Sequence, residues 1–198
     1  MISDIFKPAV VRVITPTARG LLRIGLTPNS VTTVGAIGVM ATSLIAYPSG
    51  HLFAGTVAIC LMALSDLFDG TMARISQKGP SRWGGFLDST VDRLTDTAIA
   101  LGLLIYLVER HDSLAYILLL SIVAGFLVSY IRARAESLRI ECKGGFAERT
   151  ERLIILLVAI GFTGLGVEYI LTFGIWLLAL ASSLTVVQRL LIVWKATK

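Results

Sequence analysis

Asp66-Leu67-Phe68-Asp69-Gly70-Thr71-Met72-Ala73-Arg74, followed by Gly84-Gly85 and then by Asp88-Ser89-Thr90-Val91-Asp92, is wedged between two uncharged runs, Leu52–Ser65 and Thr97–Val108. Whether these acids decorate a wet surface or sit at the edge of a bilayer depends on the rest of the chain. Of its 198 residues, 55% are hydrophobic and 16% charged, and the mean hydropathy is +0.80. A soluble domain averages about 25% charged residues, so there is too little charge here to cover a water-facing surface. A hydrocarbon core about 30 Å thick takes about 20 apolar residues of helix. Ser113–Ile131 and Tyr169–Gln188 reach that length without a charge, and Asn29–Pro48 supplies another span. Leu52–Ser65, Thr97–Val108 and Leu153–Val167 are shorter runs, extended by polar segments at one end. The expected fold is an all-α integral membrane protein of six transmembrane helices over residues 29–194, within one membrane domain of residues 1–198. The apolar content per segment is too high for a barrel.

Residues 3–23 alternate apolar and basic positions, with Lys7, Arg12, Arg19 and Arg23 breaking any continuous apolar run. This pattern predicts an amphipathic juxtamembrane helix lying in the interface rather than a signal peptide. Six spans place both ends of the chain on one side, and 17 of the 18 Lys and Arg residues then share it, with Arg110 opposite. The basic side is expected to be cytoplasmic, in the cell membrane. The net charge of +5 reads as topology and contact with anionic membrane lipids, not as a nucleic-acid surface.

Depth counting brings the acids together. Asp66 lies about 15 residues, or roughly 22 Å, from the outer start of its span near His51. Counting back from Val108, Asp92 lies roughly 24 Å and Asp88 about 30 Å from the same boundary. The pairs are spaced i, i+3 and i, i+4, so each shares a helix face. Four carboxylates in one cavity repel unless cations compensate them. An all-oxygen set suits Mg²⁺, with Mn²⁺ an alternative, and two ions bridged by carboxylates serve phosphoryl chemistry. Gly70 sits where glycine costs a helix about 1 kcal/mol relative to alanine. Either a ligand approaches the backbone there or Gly70 and Ala73 form a small-residue helix contact. Arg74, one turn on, offers a fork for a phosphate or a base edge. Asp96 continues the same face about 6 Å deeper and reads as a buried structural acid, with Arg93 a candidate partner.

The eight positions Asp66, Asp69, Gly70, Ala73, Arg74, Gly84, Asp88 and Asp92 resemble the signature of the CDP-alcohol phosphotransferases. The Arg74-to-Gly84 spacing is one residue longer than the usual pattern, which touches the loop around Gly79-Pro80 rather than the helical acids. The resemblance implies a homodimer and CDP-diacylglycerol as lipid donor. It makes Asp66, Asp69, Asp88 and Asp92 the ligands of two Mg²⁺ ions, with Asp92 also the general base. It places Gly70, Arg74 and Ser81 against the CDP moiety, together with Asn29, Ser30, Val31 and Thr32. The segment at Asn29 has a structural reason as well, because it opens a helix.

The acceptor is read from outside the signature. Arg132 and Arg134 end one span, Arg149 and Arg152 open the next, and Arg189 ends the last. Positive-inside topology explains basic residues in general but not arginine over lysine, and guanidinium forks suit a phosphorylated acceptor. Ser129–Glu136, Glu148–Leu153, Gln188-Arg189 and Ala18–Arg23 are similar to segments of the actinobacterial phosphatidylinositol phosphate synthase subfamily. That similarity implies inositol phosphate as acceptor. Three readings compete: a phosphatidylglycerophosphate synthase using glycerol 3-phosphate, a divalent-cation transporter, and a non-catalytic scaffold. A transporter needs polar groups across the whole membrane thickness, and Ala98–Val108 and Leu52–Ser65 are nearly all apolar.

Overall fold

The computed structural model describes residues 14–76, 81–142 and 144–198, with the main chain alone described at Ser65, Asp66, Leu67 and Asp69. The described residues contain helices and no strand. Residues 14–23 are helical (α1). They are followed by α2 (Pro28–Ala46), α3 (Leu52–Ala63), α4 (Ser65–Ile75), α5 (Arg82–Glu109), α6 (Leu114–Ser137), α7 (Arg149–Gly164) and α8 (Ile170–Ala196). Of the expected interfacial helix 3–23, residues 3–13 lie outside the described residues. In α1 Ala18 is buried while Arg19 and Arg23, one turn apart, are exposed.

Three helices, α2, α6 and α8, are long and apolar enough to cross a membrane, and α3 is a shorter apolar helix. The other expected spans differ from this form for local reasons. The second is divided at Leu64, leaving α3 with 12 residues and α4 with 11. The third, α5, has length to spare at 28 residues but carries Asp88, Asp92, Arg93 and Asp96 in its first half. The fifth, α7, is 16 residues long and opens on charged residues. The outward faces remain oily throughout: Leu119, Leu120, Val123 and Phe126 on α6 and Phe173, Leu180, Leu184 and Val187 on α8 are all exposed. A helix satisfies its own backbone groups, so an apolar exterior of this kind is the solution a bilayer demands.

Two compact units divide the chain. The first comprises the described residues up to Thr42 together with Val57–Ala98, and the second comprises Ser43–Thr56 and Ile99–Lys198. Within the second, α8 packs against both α6 and α7. Its buried face sets Gly174, Ala179, Ser182 and Thr185 among the larger Leu171, Ile175, Leu178 and Arg189, and Gly174 faces Ala159 of α7. Small residues let helix backbones approach where lipid supplies no hydrophobic drive between helices. Two glycines take this furthest. A Cβ at Gly102 of α5 would overlap the carbonyl oxygen of Ser43, and one at Gly164 of α7 would overlap the backbone of Phe53. Nearby, the buried Tyr47 hydroxyl bonds Thr56 Oγ1 at 3.0 Å.

The close contact at Gly102 leads to a stability expectation. Because the obstructing atom is main chain, Gly102→Ala forces a helix to shift and should cost about 1–3 kcal/mol. Gly20→Ala, whose Cβ meets nothing within 4 Å, serves as the control. In detergent, the first variant should melt several degrees below the parent and the second should not.

Candidate active site

The acidic motif is carried by α4 and the first half of α5, both within the first unit. α4 buries Thr71 and Met72 on one side and leaves Arg74 exposed. Among the described atoms, the only one within 4 Å of a Cβ built at Gly70 is Nη2 of Arg74, at 4.0 Å. Gly70 thus shows, among the described atoms, no close backbone contact of the kind at Gly102. Its open face, with the Arg74 guanidinium alongside, is the arrangement expected where a ligand lies across the backbone.

The start of α5 is held by Ser81, whose Oγ accepts the Gly84 N–H at 2.9 Å. This is an N-cap bond, which satisfies one of the donors that a helix start leaves open. A Cβ at Gly84 would lie 3.0 Å from that oxygen and 3.3 Å from Asn29 Oδ1. Asn29, Ser81 and Gly84, distant in sequence, thus converge in the first unit. Around Asn29 the helix opening is self-contained. Thr27 Oγ1 accepts the Ser30 N–H at 3.2 Å, and Ser30 Oγ accepts the Thr27 N–H at 3.0 Å. Thr32 is buried and its hydroxyl bonds back to Pro28 O at 3.1 Å, while Val31 is half-buried. So Ser30 and Thr32 already serve the helix, whereas the Asn29 amide is turned toward the α5 start.

Asp88 is exposed and Asp92, one turn along α5, is 16% exposed at its side chain. Arg93 Nη1 lies 3.8 Å from Asp92 Oδ2 and donates to Ser89 O at 2.8 Å. Arg93 thus turns back toward Asp92 and its own helix. Asp96, one turn further along, is half-buried. The side chains of Asp66 and Asp69 lie outside the described residues; their backbone places both on α4. Asp88 and Asp92, one turn apart, carry carboxylate oxygens on a single face of α5. This chemistry fits a hard divalent ion.

The acceptor arginines belong to the second unit. Arg132 is exposed and paired with Glu136 at 3.0 Å, and Arg134 Nη1 contacts Ser137 Oγ at 3.3 Å. Arg149 and Arg152 are half-buried at the start of α7. There Glu148 and Glu151 form a capping box, with the Glu148 N–H on Glu151 Oε2 at 2.8 Å. Arg152 Nη1 donates to Ala147 O at 3.0 Å. Arg189 is different. Only 3% exposed, it donates from Nη1 to Val128 O at 2.6 Å and from Nε to Gly144 O at 3.3 Å, so it braces the chain between α6 and α7.

The sequence model of the CDP-alcohol phosphatidyltransferase family matches residues 25–187, a stretch that includes every one of these acids. The chain belongs to this family. It is an integral membrane enzyme. It is 44% identical over 193 residues to the phosphatidylinositol phosphate synthase of Mycobacterium tuberculosis, spanning 95% of this chain and 88% of that protein. The Streptomyces avermitilis synthase is 41% identical over 203 residues, covering 98% and 82%. Crystal structures of the Mycobacterium tuberculosis synthase are similar in fold. The form with CDP-DAG bound has a TM-score of 0.87 at 43% identity and covers 92% of this chain and 94% of that one. A form in complex with manganese and citrate has a TM-score of 0.86 at 43% identity, covering 91% and 88%.

Gly70 gives the test of this geometry. Gly70→Leu introduces a good helix former into open space, so the melting temperature should stay within about 2 °C of the parent. The same side chain covers the backbone beside Arg74, and KM for the CDP-linked donor should rise about tenfold.

Proposed function

We propose that the chain is a phosphatidylinositol phosphate synthase, transferring the phosphatidyl group of CDP-diacylglycerol to a hydroxyl of inositol phosphate with release of CMP. The observation that carries this reading is identity above 40% along nearly the whole chain to synthases of that name. Donor and acceptor residues fall on different stretches. Gly70, Arg74, Ser81 and Asn29–Thr32 hold the CDP moiety, with Gly70 open and Asn29 turned toward Gly84 as support. Arg132, Arg134, Arg149 and Arg152 hold the acceptor's phosphate. Arg189 is the fifth arginine of this set and also braces the connector beside the others.

Asp66, Asp69, Asp88 and Asp92 would hold two Mg²⁺ ions, whose charge stabilises the pyrophosphate oxygens and the departing CMP. Arg74 fixes the donor's phosphates in line with the incoming hydroxyl. Asp92 accepts the proton as the acceptor oxygen attacks the β-phosphorus and the bond to the CMP oxygen breaks. Its partial burial next to Arg93 keeps the carboxylate in one orientation for that transfer.

The same reading makes residues 1–198 one membrane domain, since the family match runs through both compact units. It counts six crossings, α2, α3 with α4, α5, α6, α7 and α8, preceded by the interfacial helix. Basic asymmetry supports a cytoplasmic active site in the cell membrane, and the family resemblance supports a homodimer.

Purified protein with CDP-diacylglycerol and Mg²⁺ should release CMP on addition of inositol phosphate. Release with glycerol 3-phosphate instead would make it a phosphatidylglycerophosphate synthase. Chelation of divalent cations should abolish release, and Asp92→Asn should lower kcat by about 10²–10⁴-fold without loss of fold. Unaltered lipid synthesis in that variant would refute the assignment.

A further inference from the structure

The connector between α6 and α7 is fastened to one face of α8 by three side chains spaced i, i+3, i+4. Arg189 Nε donates to Gly144 O at 3.3 Å, Gln188 Oε1 accepts the Phe146 N–H at 3.1 Å, and Thr185 Oγ1 accepts the Ala147 N–H at 3.1 Å. Thr185 is the innermost of the three and 0% exposed. Its hydroxyl also donates to Ala181 O at 2.7 Å, so both of its hydrogen-bonding directions are fixed. Its methyl group, Cγ2, occupies the space where a Cβ at Gly145 would stand. Threonine is thus specified twice, by its hydroxyl and by its methyl.

Ala147, held at its N–H by Thr185, takes Arg152 Nη1 on its carbonyl at 3.0 Å. The Arg152 guanidinium passes over α6 at Gly125, where a Cβ would lie 3.6 Å from its Nε. A carbonyl on one edge of a planar guanidinium sets the plane of the whole fork, and a fork binds phosphate well only in the right plane. We propose that Thr185 is a positioning residue for the acceptor site: by fixing Ala147 it orients Arg152 toward the acceptor's phosphate. This rests on the reading of Arg152 as a phosphate ligand. Thr185 itself touches no substrate.

Thr185→Val keeps the methyl and the shape but cannot accept the Ala147 N–H, whereas Thr185→Ser keeps the hydroxyl. In the CMP-release assay, Thr185→Val should raise KM for inositol phosphate about tenfold, leave KM for CDP-diacylglycerol unchanged, and hold kcat within about twofold. Thr185→Ser should stay close to the parent. Arg152→Gln is the companion variant. If it leaves KM for inositol phosphate unchanged, the phosphate-ligand reading fails and the proposal with it. If Arg152→Gln raises that KM and Thr185→Val does not, the proposal alone is overturned. In the double variant, Thr185→Val should add little to Arg152→Gln, because both act through one group. Full multiplication of the two effects would show that Thr185 acts by another route and would overturn it. Should the valine variant fail to fold, Thr185→Ala against Thr185→Ser makes the same comparison: a raised KM for inositol phosphate in the alanine variant alone supports the proposal, and equal KM values in the two overturn it.

Discussion

Charge at the edge of a hydrocarbon layer must be compensated, and that constraint organises this protein. A carboxylate removed from water either takes up a proton or finds a cation. Asp92, mostly enclosed on α5, has Arg93 at 3.8 Å, and the divalent ions proposed for this site would answer charge of the same kind. The other features of the first unit follow from making room for an anionic ligand at that point. Gly70 is left uncovered, Arg74 lies beside it, and Ser81 and Asn29 define the start of the helix that carries Asp88 and Asp92.

The second unit meets the same constraint with the opposite sign. Buried arginine is as costly as buried carboxylate, and here backbone carbonyls do the compensating. Arg189 takes Val128 O and Gly144 O, and Arg152 takes Ala147 O. Gly144 O and Ala147 O are available because they lie in the connector between Ser137 and Arg149, whereas Val128 O lies inside α6 and takes the guanidinium as an additional partner. An irregular segment at this depth leaves unmet polar groups, and side chains from α8 meet them. The division of arginines into exposed and braced follows. Arg132 and Arg134 stand on the exposed end of α6, while Arg152 and Arg189 are locked into the connector. The proposed phosphate site therefore combines two solvent-facing forks with a preset one.

The acidic motif, its helical context and the long apolar helices α2, α6 and α8 are legible in the sequence, because each is written in local pattern: spacing, charge and run length. Less visible is whatever depends on distant residues. Gly70 and Gly102 look alike in sequence, each a glycine inside a helix. One faces open space and the other the Ser43 carbonyl, a distinction that only tertiary contact makes. The break at Leu64 has no glycine or proline to announce it, and Leu64 itself keeps near-helical angles of −62° and −19°. Spacing likewise does not announce that the Arg93 guanidinium donates to Ser89 O, since a helix-face count fixes neighbours but not rotamers.

Residue type and position group Arg189 with the proposed acceptor ligands, and the structure adds that its guanidinium also bonds two carbonyls at 3% exposure. The signal that separates it from Arg132 is nonetheless present in the sequence. Thr185, Gln188 and Arg189 fall at i, i+3 and i+4 toward the end of the last span, a polar stripe on a helix otherwise facing lipid and apolar core. In a membrane such a stripe requires partners, and the nearest supply of unmet backbone groups is the glycine-containing connector ahead of α7. The stripe and the connector are therefore complementary requirements: each would be unstable alone, and together they hold the α7 arginines in register. On the proposed reading, the acceptor side therefore depends on α8 through the hydrogen bonds that Thr185, Gln188 and Arg189 make to the connector.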